Sequence, residues 1–261
     1  MRTTARSVVA VTELFTHTNK ESTYQGVVKL NLYKQIHFII NKKKRLNLSK
    51  METHLLNIVI HLTNPIIFDI GAHKGKLSKM FHEVYVDSSI YCFEPNIYLH
   101  KYIEKVNQNI KIYDYAVGDQ SEEKEFFLNN IDLTSSLSTL NKKSFYLKIK
   151  NFIIDTSPAN SKKNIRVITL DKFCKDKNIK EIDFLKVDVE GYELMVLRGA
   201  KEIIHNVKYI MIEIQKNNMY QEYSKEKIED FLQKNNFRLI KKFNFPFMFF
   251  QDRIYVNKNF N

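Results

Sequence analysis

The chain has 261 residues, 44% hydrophobic and 13% aromatic, enough to bury one substantial core and to exclude an intrinsically disordered protein. Lys and Arg number 41 against 29 Asp and Glu, and the resulting +12 favours polyanions such as nucleic acid, acidic glycans or an anionic membrane surface. Much of that excess is Lys in a chain also rich in Asn and Ile, so compositional bias accounts for it without any polyanionic partner.

Cys92 and Cys174 have neither metal-ligand spacing nor a nearby pairing partner, and no His lies at metal spacing from an Asp or Cys. No metal site is expected, and a reduced, cytoplasmic location follows. No apolar run approaches the roughly 20 residues of a membrane helix. "SVVAV" after Arg6 is too short for a secretory leader.

Residues 1–60 read as an N-terminal extension in which "LNLYKQIHFIINKKKRLNL" predicts a helix ending in Lys42, Lys43, Lys44 and Arg45. That cluster suits a helix C-terminus, and it also offers a peripheral membrane or nucleic-acid contact. Residues 61–261 read as the main domain, and it begins with "IIFDIGAHKGKLSKMF". Apolar Ile66, Ile67 and Phe68 run into Asp69, a glycine turn follows, and Leu77, Met80 and Phe81 have helical spacing: strand, loop, helix.

The alternation continues along the chain. "IYCFEP" is a second strand, Ile97 to Asn107 a helix and "IKIYDYAVGD" a third strand; "EFFL" and "IRVITL" are extra strands around a polar loop. "IDFLKVDVEG" is a near-continuous buried strand, followed by the helix "ELMVLRGAKEIIHNV", the strand "YIMIEIQ", the helix "SKEKIEDFLQKNN" and the strands "FRLIKKFN" and "FMFFQDRIYVN". The aromatic run "FNFPFMFF" reads as buried sheet. This order predicts an α/β fold with a doubly wound, mostly parallel sheet whose ligands sit at the carboxyl ends of the strands.

That rule selects Asp69 with Gly71, Glu94, Asp119, Asp188 with Glu190, and Glu213. Helix capping explains any one of them alone; several around one glycine turn point to a ligand. The turn has no Lys-Ser or Lys-Thr pair after its second glycine, so it is not a P-loop, and it lacks the middle glycine that admits a pyrophosphate. Glu94 lies where an acid would accept hydrogen bonds from ribose hydroxyls. S-adenosylmethionine meets both demands: its carboxylate faces helix N-terminal amides, its ribose meets Glu94, and Asp69 with other carboxylates orients its ammonium. A dinucleotide is the alternative.

"FDIGAHKGKLS", "FEPN", "AVGD", "TSSL", "ITLDKF", "IDFLKVDVEGYELMVLRGA" and "IMIEI", in this order, resemble the FkbM-type S-adenosylmethionine-dependent methyltransferases, a branch of the Rossmann-like class I methyltransferases. The resemblance runs from Ile66 to Ile214, and "KVDVEGYE" with "LRGA" is its most specific part. It implies a seven-stranded sheet with an antiparallel last strand and methylation on oxygen, often of sugar or natural-product hydroxyls. By motif it implies that Asp69, Gly71 and Gly75 frame the cofactor turn, that Glu94 takes the ribose, and that Val117, Gly118 and Asp119 border the adenine. His73 stands where family members often have Asn, its side chain read as pointing to solvent. Ser135 and Ser136 fall in the family pattern as a loop near cofactor or acceptor, or as a plain turn.

Methyl transfer to a hydroxyl needs alignment and a base near the acceptor proton. Asp188, Glu190 and Glu213 are the candidate catalytic residues, because the ends of their strands face the methyl group; Glu193, in a first helical turn, also suits the macrodipole. The expected acceptor is a glycan or small-molecule hydroxyl. An RNA methyltransferase with the same cofactor, or a non-catalytic nucleic-acid-binding protein on the same fold, are the competing readings.

Overall fold

The first strand forms because β-branched and aromatic residues precede a glycine that only a turn can use. In the structure, a computed structural model, it is β1, Ile66–Ile70, followed by α2, Lys76–Val84. The structure describes residues 48–85, 87–106, 110–128, 137–138, 161–216, 220, 223–244 and 250–260. The helix expected over residues 30–48, its basic cluster, Ser135 and Ser136 lie outside the described residues. The chain divides into two compact units, Met1–His61 and Leu62–Asn261.

In the first unit, α1 (Lys50–Val59) starts with a capping box: Glu52 N donates to Ser49 Oγ and Ser49 N donates to Glu52 Oε2. In the second, β2 (Ser89–Phe93), α3 (Ile97–Glu104), β3 (Lys111–Tyr113), β4 (Ala116–Val117), β5 (Glu122–Leu128) and β6 (Ser161–Ile168) follow β1 and α2. Then come α4 (Leu170–Asp176), β7 (Ile182–Val187), α5 (Glu193–Arg198), a 3₁₀ turn at Ile203–Asn206, β8 (Val207–Gln215), α6 (Lys225–Lys234), β9 (Phe237–Asn244) and β10 (Phe250–Asn257).

Seven strands form the central sheet in the order β3-β2-β1-β7-β8-β10-β9, and β4-β6-β5 form a second, small sheet. From β3 to β8 every pairing is parallel, and only β10 runs against its neighbours. This is the mostly parallel seven-stranded sheet expected, with its last strand antiparallel. The chain leaves β1 toward β2 and β3 and returns to β7 on β1's other side. The switch point, where a ligand crevice opens, therefore lies at the carboxyl ends of β1 and β7. Burial drives the assembly: Phe68, Ile70, Phe93, Leu185, Val187, Ile210 and Ile212 are almost wholly buried, and Phe173 of α4 packs edge-on against Phe68, Tyr91, Phe93 and Tyr113.

Two elements differ from expectation. The stretch Ile110–Asp119 is not one strand: β3 joins the central sheet while β4 joins the small sheet beside β6, so Asp119 follows a strand of the second sheet. The helix expected over 193–207 ends at Arg198. Asp171, from the start of α4, accepts the amides of Glu202 and Ile203, which a continuous helix would have used internally, and a 3₁₀ turn begins there instead.

Candidate active site

At the switch point the turn after β1 is held from three sides. The Gly71 and Ala72 amides donate to the carbonyl of Phe93 at the end of β2, at 2.9 and 3.2 Å. Asp188 N donates to the Ile70 carbonyl at 3.1 Å. Gly71 has φ +74°, and a Cβ there would stand 1.9 Å from the Asp188 carbonyl oxygen, so only glycine lets the turns after β1 and β7 touch. Gly75, also left-handed at φ +71°, opens α2 against Ile103 of α3.

Lys186 lies beneath these turns. Its ammonium donates to the Gly71 carbonyl at 2.7 Å and stands 3.3 Å from both Asp69 Oδ1 and Asp188 Oδ2. Burial alone would pull its proton affinity down; the Asp188 and Asp69 carboxylates more than reverse this, and it is held charged. Asp69, in register with Lys186 across β1 and β7, is 0% exposed and its Oδ2 accepts from Ser78 Oγ at 2.7 Å. Asp69 thus supports the turn from below rather than lining its open face. Lys186 was not singled out from the sequence, although a lysine inside an otherwise apolar strand was the available signal.

Glu94 follows β2 directly and is 6% exposed. Its Oε2 accepts the His73 amide at 2.8 Å and its Oε1 the Asn96 amide at 2.9 Å. Burial raises its proton affinity and the two amides work against that. A carboxylate accepts about four hydrogen bonds, so each oxygen keeps one lone pair for a further donor. His73 does not simply point outward: with φ +52° its ring is half-buried and Nε2 is shielded from solvent.

Val117, Gly118 and Asp119 border the small sheet. The Gly118 amide donates to Ile168 O, and a Cβ on Gly118 would lie 2.8 Å from Val167 and 3.1 Å from the Tyr192 ring. Asp119 is half-buried beside Tyr192, whose phenol it pushes toward the protonated form in company with burial.

The carboxyl ends of β7 and β8, and the amino end of antiparallel β10 beside them, gather acids. Asp188 is 37% exposed at its side chain, and Glu190, at φ +53°, accepts a hydrogen bond from buried Tyr220. Glu213 accepts from Gln215 Nε2. Burial, then Asp188, Glu190, Glu193 and Asp252, raise Glu213 well above the usual carboxylate range. The structure therefore brings the three candidate catalytic residues into one electrostatic neighbourhood. It adds Asp252, directly opposite Glu213 in the β8–β10 register, whose carboxyl is pushed up to about 7 by burial and by Asp188. The acid in the apolar "FFQDRIYV" was the sequence signal for it.

A group raised from 3.8 to about 7 lends stability that is complete below its ordinary value and is lost as pH rises through 7. Relative to Asp252→Asn, the wild-type protein is therefore expected to lose urea resistance between about pH 4 and pH 7. Parallel pH curves for the two proteins would contradict the burial of an acid at this position.

A sequence profile of the Methyltransferase FkbM domain matches residues 69–239, from Asp69 near the end of β1 to the start of β9. The chain belongs to the FkbM methyltransferase family. The profile takes in the Gly71 turn, Glu94, the β7 end and Glu213, and excludes Asp252. One relative, 2-O-methyltransferase NoeI of Sinorhizobium fredii, is 24% identical over 166 residues, 60% of this chain and 66% of that protein. A crystal structure of an FkbM methyltransferase from Methylobacillus flagellatus KT is 14% identical with a TM-score of 0.47, covering 87% of this chain and 60% of that one. Magnesium protoporphyrin IX methyltransferase (ChlM) from Synechocystis PCC 6803, solved with bound SAM, is 10% identical with a TM-score of 0.42, covering 92% of this chain and 86% of that one. The chain thus spans less than two thirds of NoeI and of the FkbM structure. Among the described residues, no helix is long and apolar enough to cross a membrane.

Proposed function

We propose that this chain transfers a methyl group from S-adenosylmethionine to a hydroxyl of a glycan or small metabolite. The observation that carries the reading is Glu94: a buried carboxylate, fixed by two backbone amides, beside a glycine turn at the switch point. Its two remaining lone pairs match a ribose diol, and the turn has no glycine placed for a pyrophosphate. Family membership supports the reaction, and the similarity to the 2-O-methyltransferase NoeI supports oxygen as the accepting atom.

When bound, S-adenosylmethionine supplies a methyl group already activated on a sulfonium. The protein's part is position and proton. Gly71 lets the turns after β1 and β7 close on each other, Gly75 lets α2 start against Ile103, and Lys186 fixes the turn by holding the Gly71 carbonyl. Glu94 would accept from the ribose hydroxyls, and Val117, Gly118 and Asp119 would border the adenine. Asp188, Glu190 and Glu213 are the candidates to orient the acceptor hydroxyl, and one of them, Asp188 first, takes its single proton as the methyl leaves the sulfonium. Orientation of this kind removes about 7–11 kcal/mol of barrier at best, and a base contributes roughly 10²–10⁴-fold.

Titration calorimetry with S-adenosylhomocysteine tests the cofactor assignment. Glu94→Ala should weaken binding by about 1.5–3 kcal/mol, the worth of hydrogen bonds to a charged group, or roughly 10- to 150-fold in Kd. Glu94→Gln, which keeps one oxygen for an amide, should fall between. Wild-type protein that binds a nicotinamide dinucleotide and ignores adenosyl compounds would overturn the reading.

A further inference from the structure

Glu193, the first residue of α5, is 0% exposed, and its Oε1 accepts two amides of the preceding loop: Gly191 N at 3.0 Å and Val189 N at 3.2 Å. Those bonds bracket Glu190, which sits with Gly191 in consecutive left-handed conformations, at φ +53° and +94°. Glycine takes this conformation freely, but a glutamate in the left-handed region costs free energy that the surroundings must offset. A Cβ on Gly191 would stand 2.4 Å from the Tyr220 ring, so the loop is also pressed against the residue that bonds Glu190. The clamp by Glu193 therefore sets where Asp188 and Glu190 stand.

We infer that Glu193 is a positioning residue of the reaction proposed above, holding the Asp188–Gly191 loop through one carboxyl oxygen and carrying a proton on the other. The inference rests on the methyltransferase reading only for its effect on rate. Its geometric basis is the second oxygen: Oε2 is buried and has no hydrogen-bond partner among the described residues, whereas Oε1 takes two donors. An acid divided this way places its proton on the oxygen that accepts nothing.

The surroundings agree. Asp188 faces Glu193 from the loop, Glu213 from β8, and the phenols of Tyr220 and Tyr223 from the segment between β8 and α6, with Glu190 beyond them against Glu213 and Tyr220. Burial first, then the Asp188 charge, against the amides' opposing pull, lifts the carboxyl to about 8. Below that pH it is a neutral clamp. Above it, a new negative charge faces Asp188, and the loop is driven from its working shape.

Glutamine reproduces the neutral acid in shape and keeps the accepting oxygen. Glu193→Gln should retain S-adenosylhomocysteine affinity and near-wild-type kcat at pH 7, and should abolish a fall in kcat that wild type shows with a midpoint near pH 8. Glu193→Ala should lower kcat by about 10²-fold, as loss of alignment does, with the fold checked by urea unfolding. Amide hydrogen exchange on the cofactor-free protein gives a readout independent of turnover: Val189 and Gly191 should be protected in wild type and Glu193→Gln, and unprotected in Glu193→Ala. An unchanged alkaline fall in Glu193→Gln, or full protection and full kcat in a folded Glu193→Ala, would overturn the inference. If the alanine variant does not fold, the glutamine variant's pH profile and exchange decide alone. If no acceptor is ever methylated, the functional reading fails while exchange still judges the clamp.

Discussion

Replacing Lys186 with methionine is expected to destabilise the protein by about 3–5 kcal/mol, because removing one partner of a buried ion pair leaves the other charge uncompensated. The charge left behind is Asp69, which has no exposed surface and keeps only the Ser78 hydroxyl as a neutral donor. Methionine matches the length of the lysine stem but donates nothing to the Gly71 carbonyl, so the turn after β1 loses its hold from β7. S-adenosylhomocysteine binding should fall with it. Lys186→Arg is not expected to rescue, since the longer, planar guanidinium does not fit an enclosed site shaped around a compact ammonium. Urea unfolding is the measurement: the midpoint should drop with an unchanged slope. A loss under about 1 kcal/mol, the range of exposed pairs, would show that Lys186 is not the buried keystone described here.

The second large effect concerns the acceptor's proton. If Asp188 is the base, Asp188→Asn should lower kcat and kcat/KM together by roughly 10²–10⁴-fold while leaving cofactor affinity in place, as when an interaction is made mainly in the transition state. The backbone at this position is anchored independently of its side chain, through the amide bonded to Ile70, so the variant keeps its loop. Glu190→Gln and Glu213→Gln are the parallel tests. Glu190 already receives the Tyr220 hydroxyl, and burial and the surrounding carboxylates raise the proton affinity of Glu213. Labelled cofactor supplied with sugars, lipid-linked glycans and RNA identifies the acceptor first. Three amide variants that all methylate it at the wild-type rate would remove the base from the mechanism. RNA as the one acceptor would turn the +12 charge from compositional bias into a binding property.

The order of residues by itself determined the strand–turn–helix around Gly71, the parallel core strands and the gathering of Asp69, Glu94, Asp188 and Glu213 at strand ends. These follow from local periodicity and glycine chemistry, and from one rule of open parallel sheets. The tertiary structure decided what depended on residues far apart in the chain. Ile110–Asp119 has strand propensity throughout, but only pairing with β2 and then with β6 divides it between two sheets. The helix after Glu193 has good local spacing, yet Asp171, about thirty residues earlier, takes the amides that would have continued it. Lys186 and Asp252 read as charges interrupting apolar strands until strand register sets them opposite Asp69 and Glu213. A charge inside a sheet is tolerated according to its neighbour on the next strand, and register is fixed by packing of the whole sheet rather than by any one segment.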